Sequence, residues 1–436
     1  MNINQSMVHE DENWQTLCRF LPGQWRQKAF ELGACQRLRG VGSIDVLLRI
    51  LLLHLGDGLS LKQTCNIARQ AGWTTISDVS LLNRLRQSSE WLRWFCRELV
   101  CQRHPARIHL DRPEWLKHRR VKSIDATVVS EPGSTGSDWR VHYCLELFEL
   151  MCDQVVLTDP HQGETVSNFN FTDGDVVVAD RAYCSNRAVA ELAASHVDWI
   201  IRYKYKSVTL HSDEGDHAPF DLFGALSTVT QHTPSQWVVT AGRPEAVQGR
   251  LIAIRKSEEA AAQARKKFIA KMSRRQATVH EQTLQLQDYI LVLTNLNDPA
   301  ITPHQILSIY RLRWQIEIAF KRLKSIMGLG HLPKYDPASC KAWLHGKLFV
   351  ALLVDLMVEE VDFFPLGDIH LKGTHASPNQ EWCLWREVEF GLYLLKQAIH
   401  PQLNLEQCLK DWGRVADSLS DSKRERKKQH RNILQY

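Results

Sequence analysis

The sequence has little that would favour a membrane, secretory or disulfide-stabilised protein. Its longest apolar run towards the C-terminus, Leu348 to Leu356, is interrupted by Asp355 and is too short to cross a bilayer. The opening residues MNINQSMVHEDENW are polar and acidic, unlike the apolar segment of a signal peptide. The 11 cysteines are an odd number without a repeated spacing, so we expect free thiols in a reducing compartment. We therefore expect a cytoplasmic protein that does not bind membranes.

The charge balance is also unremarkable when it is taken over the whole chain. A formal net charge of +5 over 436 residues permits a polyanionic partner but does not demand one. Lysine and arginine are instead concentrated locally, at 202–206, 265–275, 311–324 and 423–431. The chain is too long for one typical core, so we expect about two to four domains or subdomains.

The stretch from Tyr310 to Lys324 has an unusual arrangement of charge. If it forms one continuous helix at about 100° per residue, then Tyr310, Arg313, Glu317 and Lys324 share one narrow stripe, with Lys321 beside it. The neighbouring stripe is apolar and consists of Ile309, Ile316, Phe320, Leu323 and Met327. A single carboxylate among cations at the margin of a buried face can reach a cleft, and the cations can bind an anion.

The periodicity of the N-terminal region is helical over residues 1–118. After the turn at Gly56 to Gly58, two helices joined by a short glycine-containing turn fit a helix-turn-helix, and the second helix carries Arg84 and Arg86. We expect this region to bind DNA. The alternative is a plain helical bundle whose arginines are solvated.

The remaining boundaries follow from changes of period. Residues 119–205 are predicted to form strands at 121–130, 139–147, 154–160, 174–180 and 197–205 with a helix at 187–196, which is typical of a mixed α/β sheet. Residues 206–287 hold short β-type runs, including 277–287, and are predicted to be a β-rich insertion subdomain. Residues 288–335 return to the sheet and then to the charged helix, with Thr302 as its N-cap and Pro303 at its first position. Residues 336–436 are predicted to be a helical C-terminal region with a basic tail.

Acidic side chains at two strand positions suggest a metal site. Asp125 lies in a strand with apolar neighbours, and Asp180 ends the apolar run 176–179. Burial of such carboxylates is costly unless a cation offsets it. Together with Glu317 they would form a site for hard divalent cations, and two such ions support phosphodiester cleavage. Taken singly, each aspartate would more often be a turn residue and Glu317 a surface ion pair.

The spacing of these residues resembles that of a known family. Tyr310-x2-Arg313-x3-Glu317-x6-Lys324 matches the YREK signature of transposases of the Insertion Sequence 4 family. Asp125 in SIDATVV and Asp180 in VVVADRAY resemble the two catalytic-aspartate motifs of that family, with Ala182 where the family more often has glycine. The resemblance covers roughly residues 40 to 350.

This resemblance implies a DDE transposase with an RNase H-like mixed-sheet core, interrupted by the β-rich insertion and flanked by helical N-terminal and C-terminal regions. Asp125, Asp180 and Glu317 would be the catalytic triad and hold two Mg²⁺ ions, with Mn²⁺ as a substitute. Tyr310, Arg313 and Lys324 would hold the 5′ strand of the transposon end.

Two other residues of this helix are assigned less directly. Lys321 is expected to contact DNA phosphate. Trp314 would stack on a base or sugar of the DNA, or else pack against Ile318.

The resulting prediction is a cut-and-paste DNA transposase of an insertion sequence. It would act as a homodimer on double-stranded DNA, at the terminal inverted repeats and at the target. The alternatives are a nuclease of the same fold without strand transfer and a non-catalytic repressor of transposition. The presence of Asp125, Asp180 and Glu317 together favours an enzyme over the repressor.

Overall fold

The structure is a computed structural model that describes residues 12–102, 112–130, 139–159, 161–213, 218–231, 233–243, 246–330, 332–333, 336–361 and 384–401. The predicted basic tail at 423–431 lies outside these residues. The chain divides into two compact units. One unit is formed from Met1–His104, Val129–Ser137 and Lys321–Tyr436, and the other from Pro105–Val128 and Asp138–Phe320. Within the described ranges, no helix combines the length and the apolar character needed to cross a membrane.

The secondary structure alternates between helical and sheet-forming regions along the chain. The helices are α1 (12–18), α2 (Trp25–Glu31), α3 (Ile44–Leu55), α4 (Leu61–Gln70), α5 (Asp78–Gln87), α6 (Ser89–Gln102), α7 (Asn186–Ala194), α8 (Leu222–Leu226), α9 (Glu258–Arg274), α10 (Glu281–Gln285), α11 (Pro303–Leu312), α12 (Trp314–Ser325), α13 (Pro337–Val361) and α14 (Leu384–Ile399). The strands are β1 (Arg120–Val129), β2 (Trp139–Glu146), β3 (Met151–Thr158), β4 (Asp175–Ala179), β5 (Asp198–Arg202), β6 (Leu210–Ser212), β7 (Ser235–Ala241), β8 (Val247–Arg255) and β9 (Tyr289–Thr294).

The first unit is helical and is built around α13, which packs against α3, α5, α6 and α14. Phe95 of α6 and Phe349 of α13 stack with their ring centroids 4.4 Å apart. The contact between α13 and α3 is close at Gly346, where an added Cβ would lie 2.5 Å from Leu55 Cδ1. Because a Cβ cannot approach that closely, this crossing requires glycine.

The region predicted to be a helix-turn-helix contains an additional break. The helix that carries Arg84 and Arg86, α5, ends at Gln87, and a further helix, α6, begins at Ser89. The break is stabilised locally, because the Ser88 hydroxyl donates to the carbonyl of Arg84 at 2.7 Å and competes with the helical ladder.

The two arginines of this region make contacts within the first unit. Arg84 Nη2 donates to the carbonyls of Arg37 and Arg39, at 2.7 and 3.3 Å. Arg86 Nη2 lies 2.9 Å from Asp336 Oδ2. These contacts occupy the guanidinium groups that were candidates for DNA contact. DNA binding by this region stays a prediction.

The second unit is organised by a mixed sheet. In the described residues it has nine strands, in the order β3-β2-β1-β4-β5-β9-β8-β7-β6. The neighbours β1, β4 and β5 are parallel, whereas β2 and β3 form an antiparallel pair. The order β3-β2-β1-β4-β5 with these directions is the RNase H-like arrangement. The predicted fold class, a mixed α/β sheet between helical regions, is confirmed.

Strands from the predicted insertion continue this same sheet. β9 pairs antiparallel with β5 on one side and with β8 on the other, and β7 and β6 follow. One β-type prediction within the insertion is wrong, because 281–285 forms α10 and 286–288 forms a 3-10 helix. The leucines at 284 and 286 alternate as in a strand, but they lie among Glu and Gln residues that favour helix. The boundaries at 205/206 and 287/288 stay predictions.

Candidate active site

The two aspartates lie side by side at the neighbouring strands β1 and β4. Ile124 of β1 pairs with Ala179 of β4 in the parallel register. Asp125 follows Ile124 and Asp180 follows Ala179, so the two aspartates are neighbours. Each carboxylate accepts a hydrogen bond from a nearby backbone N–H group: Asp125 Oδ1 from Ala126 N within β1 at 2.8 Å, and Asp180 Oδ1 from Ala182 N in the turn after β4 at 2.6 Å. Adjacent parallel strands therefore present two carboxylates at one edge of the sheet.

The surroundings of Asp125 disfavour its charged form. Burial, and then the nearby Asp180 and Glu164 carboxylates, raise the pKa of Asp125 from 3.8 to about 7, against the lowering effects of the Ala126 N–H and Arg313. The side chain is 21% exposed. A carboxylate that is held next to other acids at this cost is typical of a functional site.

The helix that carries Glu317 begins where the sequence predicts but is not continuous. α11 starts with Thr302 as N-cap and Pro303 at its first position, and the reciprocal bonds with Gln305 form a capping box, which confirms that prediction. A single helix through Lys324 was expected. At Arg313 the chain keeps right-handed helical dihedral angles, but the helix is interrupted by a tighter turn in which N–H groups bond three residues back: Arg313 N to Tyr310 O and Ile316 N to Arg313 O. The prediction of one helix is wrong at this residue.

Packing holds both helical segments against the sheet of the second unit. α11 contacts β4 and β5. At the end of this unit, the Phe320 ring of α12 meets the Tyr143 ring of β2 edge-on, with the centroids 5.8 Å apart. Glu317 lies one turn before Phe320, so its carboxylate is brought to the sheet beside β1 and β2.

Arg313 lies between two of the predicted catalytic carboxylates. Its Nη2 is 2.6 Å from Glu317 Oε1, and its Nη1 is 4.0 Å from Asp125 Oδ2. The guanidinium is largely buried, with 15% of its side chain exposed. One cation thus neutralises carboxylates from the sheet and from the helix.

The carboxylates suit a divalent metal in chemical kind, since hard cations prefer oxygen ligands. In the part of the chain that the structure describes, no group of three or more His, Cys, Asp or Glu side chains converges closely enough to hold an ion. In chemical kind, the carboxylate oxygens of Asp125, Asp180 and Glu317 fit a hard cation. The Arg313 guanidinium pairs with Glu317, so a metal bound at Glu317 would displace it.

The other residues of the predicted DNA-binding face lie in different environments. Tyr310 is 8% exposed, and its hydroxyl has no hydrogen-bond partner among the described residues. The Arg313 Cζ atom is 5.9 Å from the centre of the Tyr310 ring. Trp314 is 50% exposed. On the same helix, Lys321 is exposed and Lys324 is half-buried.

The sequence-based reasoning missed a further carboxylate, Glu164, in the loop after β3. Burial and the negative charge of Asp180 raise the pKa of Glu164, although Arg140 lowers it. Burial, and then the charges of Asp125, Glu164 and Asp180, raise the pKa of the Tyr183 phenol. No periodic pattern marks Glu164, and only the path of the chain after β3 brings it to the aspartates.

Three cations lie towards β5, on the side of Asp180 away from β1. They were not identified as a group from the sequence, although Arg202 falls in the basic stretch 202–206. Arg181 follows Asp180, Arg202 ends β5, and Lys256 follows β8. Burial and the charges of Arg202 and Arg181 lower the pKa of Lys256 to about 8. Among the described residues, these three cations form no ion pair with a carboxylate. Lys256 instead donates a hydrogen bond to the Gln287 carbonyl. Cations that repel one another in this way favour a bound anion.

Comparison with known proteins identifies a family and several relatives. The sequence model of the family described as "Transposase DDE domain" matches residues 117–353, a range that contains Asp125, Asp180 and Glu317. The chain is 28% identical over 371 residues to the putative transposase InsL for insertion sequence element IS186A of Escherichia coli (strain K12), covering 82% of this chain and 98% of that protein. It is also 28% identical over 372 residues to the transposase for insertion sequence element IS421 of Escherichia coli, with the same shares, 82% and 98%.

A solved structure is also similar at low sequence identity. The piggyBac transposase, in the cryo-EM structure of its synaptic complex with hairpin DNA, superposes with a TM-score of 0.43 at 7% identity, covering 93% of this chain and 83% of that one. DDE transposases generally use divalent metal ions. Since the family model matches more than half of the 436 residues, the chain belongs to the DDE transposase family.

Proposed function

We propose that this protein is the transposase of an insertion sequence, which binds the terminal inverted repeats of the element and catalyses cut-and-paste DNA transposition. The observation that carries the proposal is the register of β1 and β4, which places Asp125 beside Asp180. Glu317 is linked to Asp125 through one guanidinium group, that of Arg313. Asp125 in β1, Asp180 directly after β4 and Glu317 on α12 supply the type of ligand that metal-assisted phosphodiester chemistry needs.

Asp125, Asp180 and Glu317 are the proposed ligands of two Mg²⁺ ions, which Mn²⁺ can replace. Bound there, such ions activate an attacking hydroxyl and stabilise the leaving oxygen of a phosphodiester. The register of β1 and β4 and the hydrogen bonds from Ala126 N and Ala182 N position the Asp125 and Asp180 carboxylates. The Arg313 guanidinium offsets the charge of Asp125 and Glu317.

The partner in this proposal is double-stranded DNA, first the transposon ends and then the target. Tyr310, Arg313 and Lys324 are proposed to hold the 5′ strand at the end, and Lys321 and Trp314 to make further contacts. The exposure of Lys321 and of the Trp314 indole supports such contacts. When a metal ion binds Glu317, the Arg313 guanidinium would be released and would pair with a DNA phosphate instead. Binding of the metal and binding of the DNA would therefore favour each other. We further propose a homodimer on paired ends, acting in the bacterial cytoplasm at the nucleoid.

The direct test is cleavage of linear DNA that carries the ends of the element. Wild-type protein with Mg²⁺ or Mn²⁺ is expected to nick at the ends and then join the freed 3′-hydroxyl to target DNA. Asp125→Ala, Asp180→Ala and Glu317→Ala are expected to retain end binding in a gel-shift assay and to lose cleavage. Glu281→Gln, an exposed residue of the same unit, is the matched control and should cleave normally.

The outcomes separate the alternatives. Cleavage without joining would indicate a nuclease. End binding without metal-dependent nicking by the wild type would indicate a repressor and would overturn the proposal.

A further inference from the structure

The loop that follows β3 reaches the same edge of the sheet as the two aspartates. β2 lies next to β1 in the sheet, and Leu147 N donates to Val121 O, so the start of β2 lies beside the end of β1. β3 runs antiparallel to β2, with Arg140 opposite Thr158. The end of β3 therefore lies at this edge, and Glu164 is in the loop that follows it.

The position of Glu164 is fixed by a set of hydrogen bonds within its loop. Arg140 Nη1 donates to the Gln162 carbonyl at 2.6 Å, and the buried Asn168 side chain donates to the Gly163 carbonyl at 3.0 Å. The Gln162 amide in turn donates to Asn168 Oδ1 at 2.6 Å. The residues on either side of the loop tip are thus anchored, and the Glu164 carboxylate is held 3.9 Å from Arg140 Nε with 29% of its side chain exposed.

The hydroxyl of Tyr183 is an orphan group among these carboxylates. The residue is 1% exposed, and its Oη has no hydrogen-bond partner among the described residues. The same hydroxyl interacts electrostatically with Asp125, Glu164 and Asp180. A buried hydroxyl without a hydrogen-bond partner is unfavourable, so such a group in an acidic cluster indicates a polar ligand.

The charge balance points to what that ligand is. Asp125, Asp180 and Glu164 repel one another, and the cation near Glu164, Arg140, is at the limit of an ion pair. A hydrated divalent cation would supply positive charge to the carboxylates and water oxygens to the phenol. Mg²⁺ retains several of its waters when protein carboxylates bind it, and residues that hold such waters tune metal affinity.

We infer that Glu164 is a fourth carboxylate of the active site, a positioning residue that accepts hydrogen bonds from the water shell of the cation held by Asp125 and Asp180. The Tyr183 hydroxyl donates to or accepts from the same shell. This inference rests on the proposed function, because it requires a divalent cation at the two aspartates. It gives Glu164 a role that the three-carboxylate signature does not contain.

The test is a titration of the DNA-free protein with Mn²⁺, followed by electron paramagnetic resonance. Glu164→Gln keeps the shape of the side chain and removes its charge, so Mn²⁺ affinity should fall by about 10-fold to 100-fold with the number of bound ions unchanged. Glu281→Gln, which removes an exposed charge of the same unit, should bind Mn²⁺ like the wild type. Equal affinity of Glu164→Gln and wild type would overturn the inference.

A second measurement separates positioning from a merely structural role. In EDTA, Glu164→Gln should melt at or above the wild-type temperature, because it relieves repulsion among carboxylates. Tyr183→Phe should also melt no lower, because its hydroxyl has no described partner to lose. With saturating Mn²⁺, both variants should gain less stability than the wild type. Melting well below the wild type in EDTA would assign these groups to folding and contradict the inference.

The result for the wild type distinguishes the two levels of the argument. If wild-type protein binds no Mn²⁺, the metal-dependent function itself fails, and the role of Glu164 fails with it. If the wild type binds Mn²⁺ and cleaves DNA while Glu164→Gln matches it in affinity, only the inference about Glu164 is wrong.

Discussion

The Asp125→Asn substitution should make the metal-free protein more stable while it abolishes cleavage. The asparagine keeps the size of the side chain and can still accept from Ala126 N, but it cannot ionise. In the wild type, burial and the neighbouring acids raise the pKa of Asp125 from 3.8 to about 7. An increase of this size corresponds to about 4 kcal/mol, which is the free energy lost when the carboxylate ionises in the folded protein.

The sign of the pH dependence follows from proton counting. Between pH 4 and 7, roughly the interval that the two pKa values define, the folded protein still holds the Asp125 proton that the unfolded chain has released. Stability contributed by this group therefore falls as the pH rises through that window and is fully lost above it. The advantage of Asp125→Asn should be small near the lower limit and reach about 4 kcal/mol above the upper limit.

The assay is thermal unfolding in EDTA at several pH values across that window. For a unit of this size, about 2–4 °C of melting temperature corresponds to 1 kcal/mol, so the shift is readily measured. Asp173→Asn, an exposed aspartate of the same unit, is the control and should show no comparable gain. Adding Mn²⁺ should stabilise the wild type more than Asp125→Asn. The reasoning is refuted if Asp125→Asn melts at or below the wild type at the alkaline end, or if its advantage does not change with pH.

Three further variants test other contacts. Arg313→Gln removes the cation that lies 2.6 Å from Glu317, so Mn²⁺ affinity of the DNA-free protein should rise about tenfold; unchanged or weaker binding in the resonance titration would contradict this. Arg202→Ala should weaken binding to all DNA sequences alike and lower the slope of log affinity against log salt by about 1, measured by fluorescence anisotropy, and an unchanged slope would exclude a phosphate contact. Gly346→Ala should destabilise the first unit by about 1–3 kcal/mol because of the clash with Leu55, and adding Leu55→Ala should recover part of the loss; a Gly346→Ala protein as stable as wild type would show that the helices can separate.

Much of the sheet could be predicted because its signals are local. β1, which carries Asp125, and β4, which ends directly before Asp180, contain β-branched runs, and β1, β4 and the start of α11 lie where the sequence indicates. The cap of α11 is set by Thr302 and Pro303 alone. These features depend on neighbours in sequence, so the sequence is sufficient to place them.

The errors concern features that depend on distant parts of the chain. At the break, Arg313 forms an ion pair with Glu317 and a contact with Asp125. A helical wheel shows only angular positions on one ideal helix, so it predicts neither the interruption nor the contact with the sheet. The wheel also placed Tyr310 on a polar stripe, whereas the structure buries it to 8% exposure. Glu164 was missed because its proximity to the aspartates arises from the return of β3 to the sheet edge.

The sharing of β9 between two neighbours bears on how this chain can change in evolution. β9 pairs with β5 on one side and β8 on the other. Removing the segment 206–287 would remove β8 and leave the backbone N–H and C=O groups on that side of β9 unpaired. Such an edge recruits other strands and promotes aggregation. Relatives should therefore vary the lengths of loops between β6, β7 and β8 while keeping strands to cover β9. A shortened variant made for expression would need a replacement strand there, or charged residues on the exposed edge, to stay monodisperse.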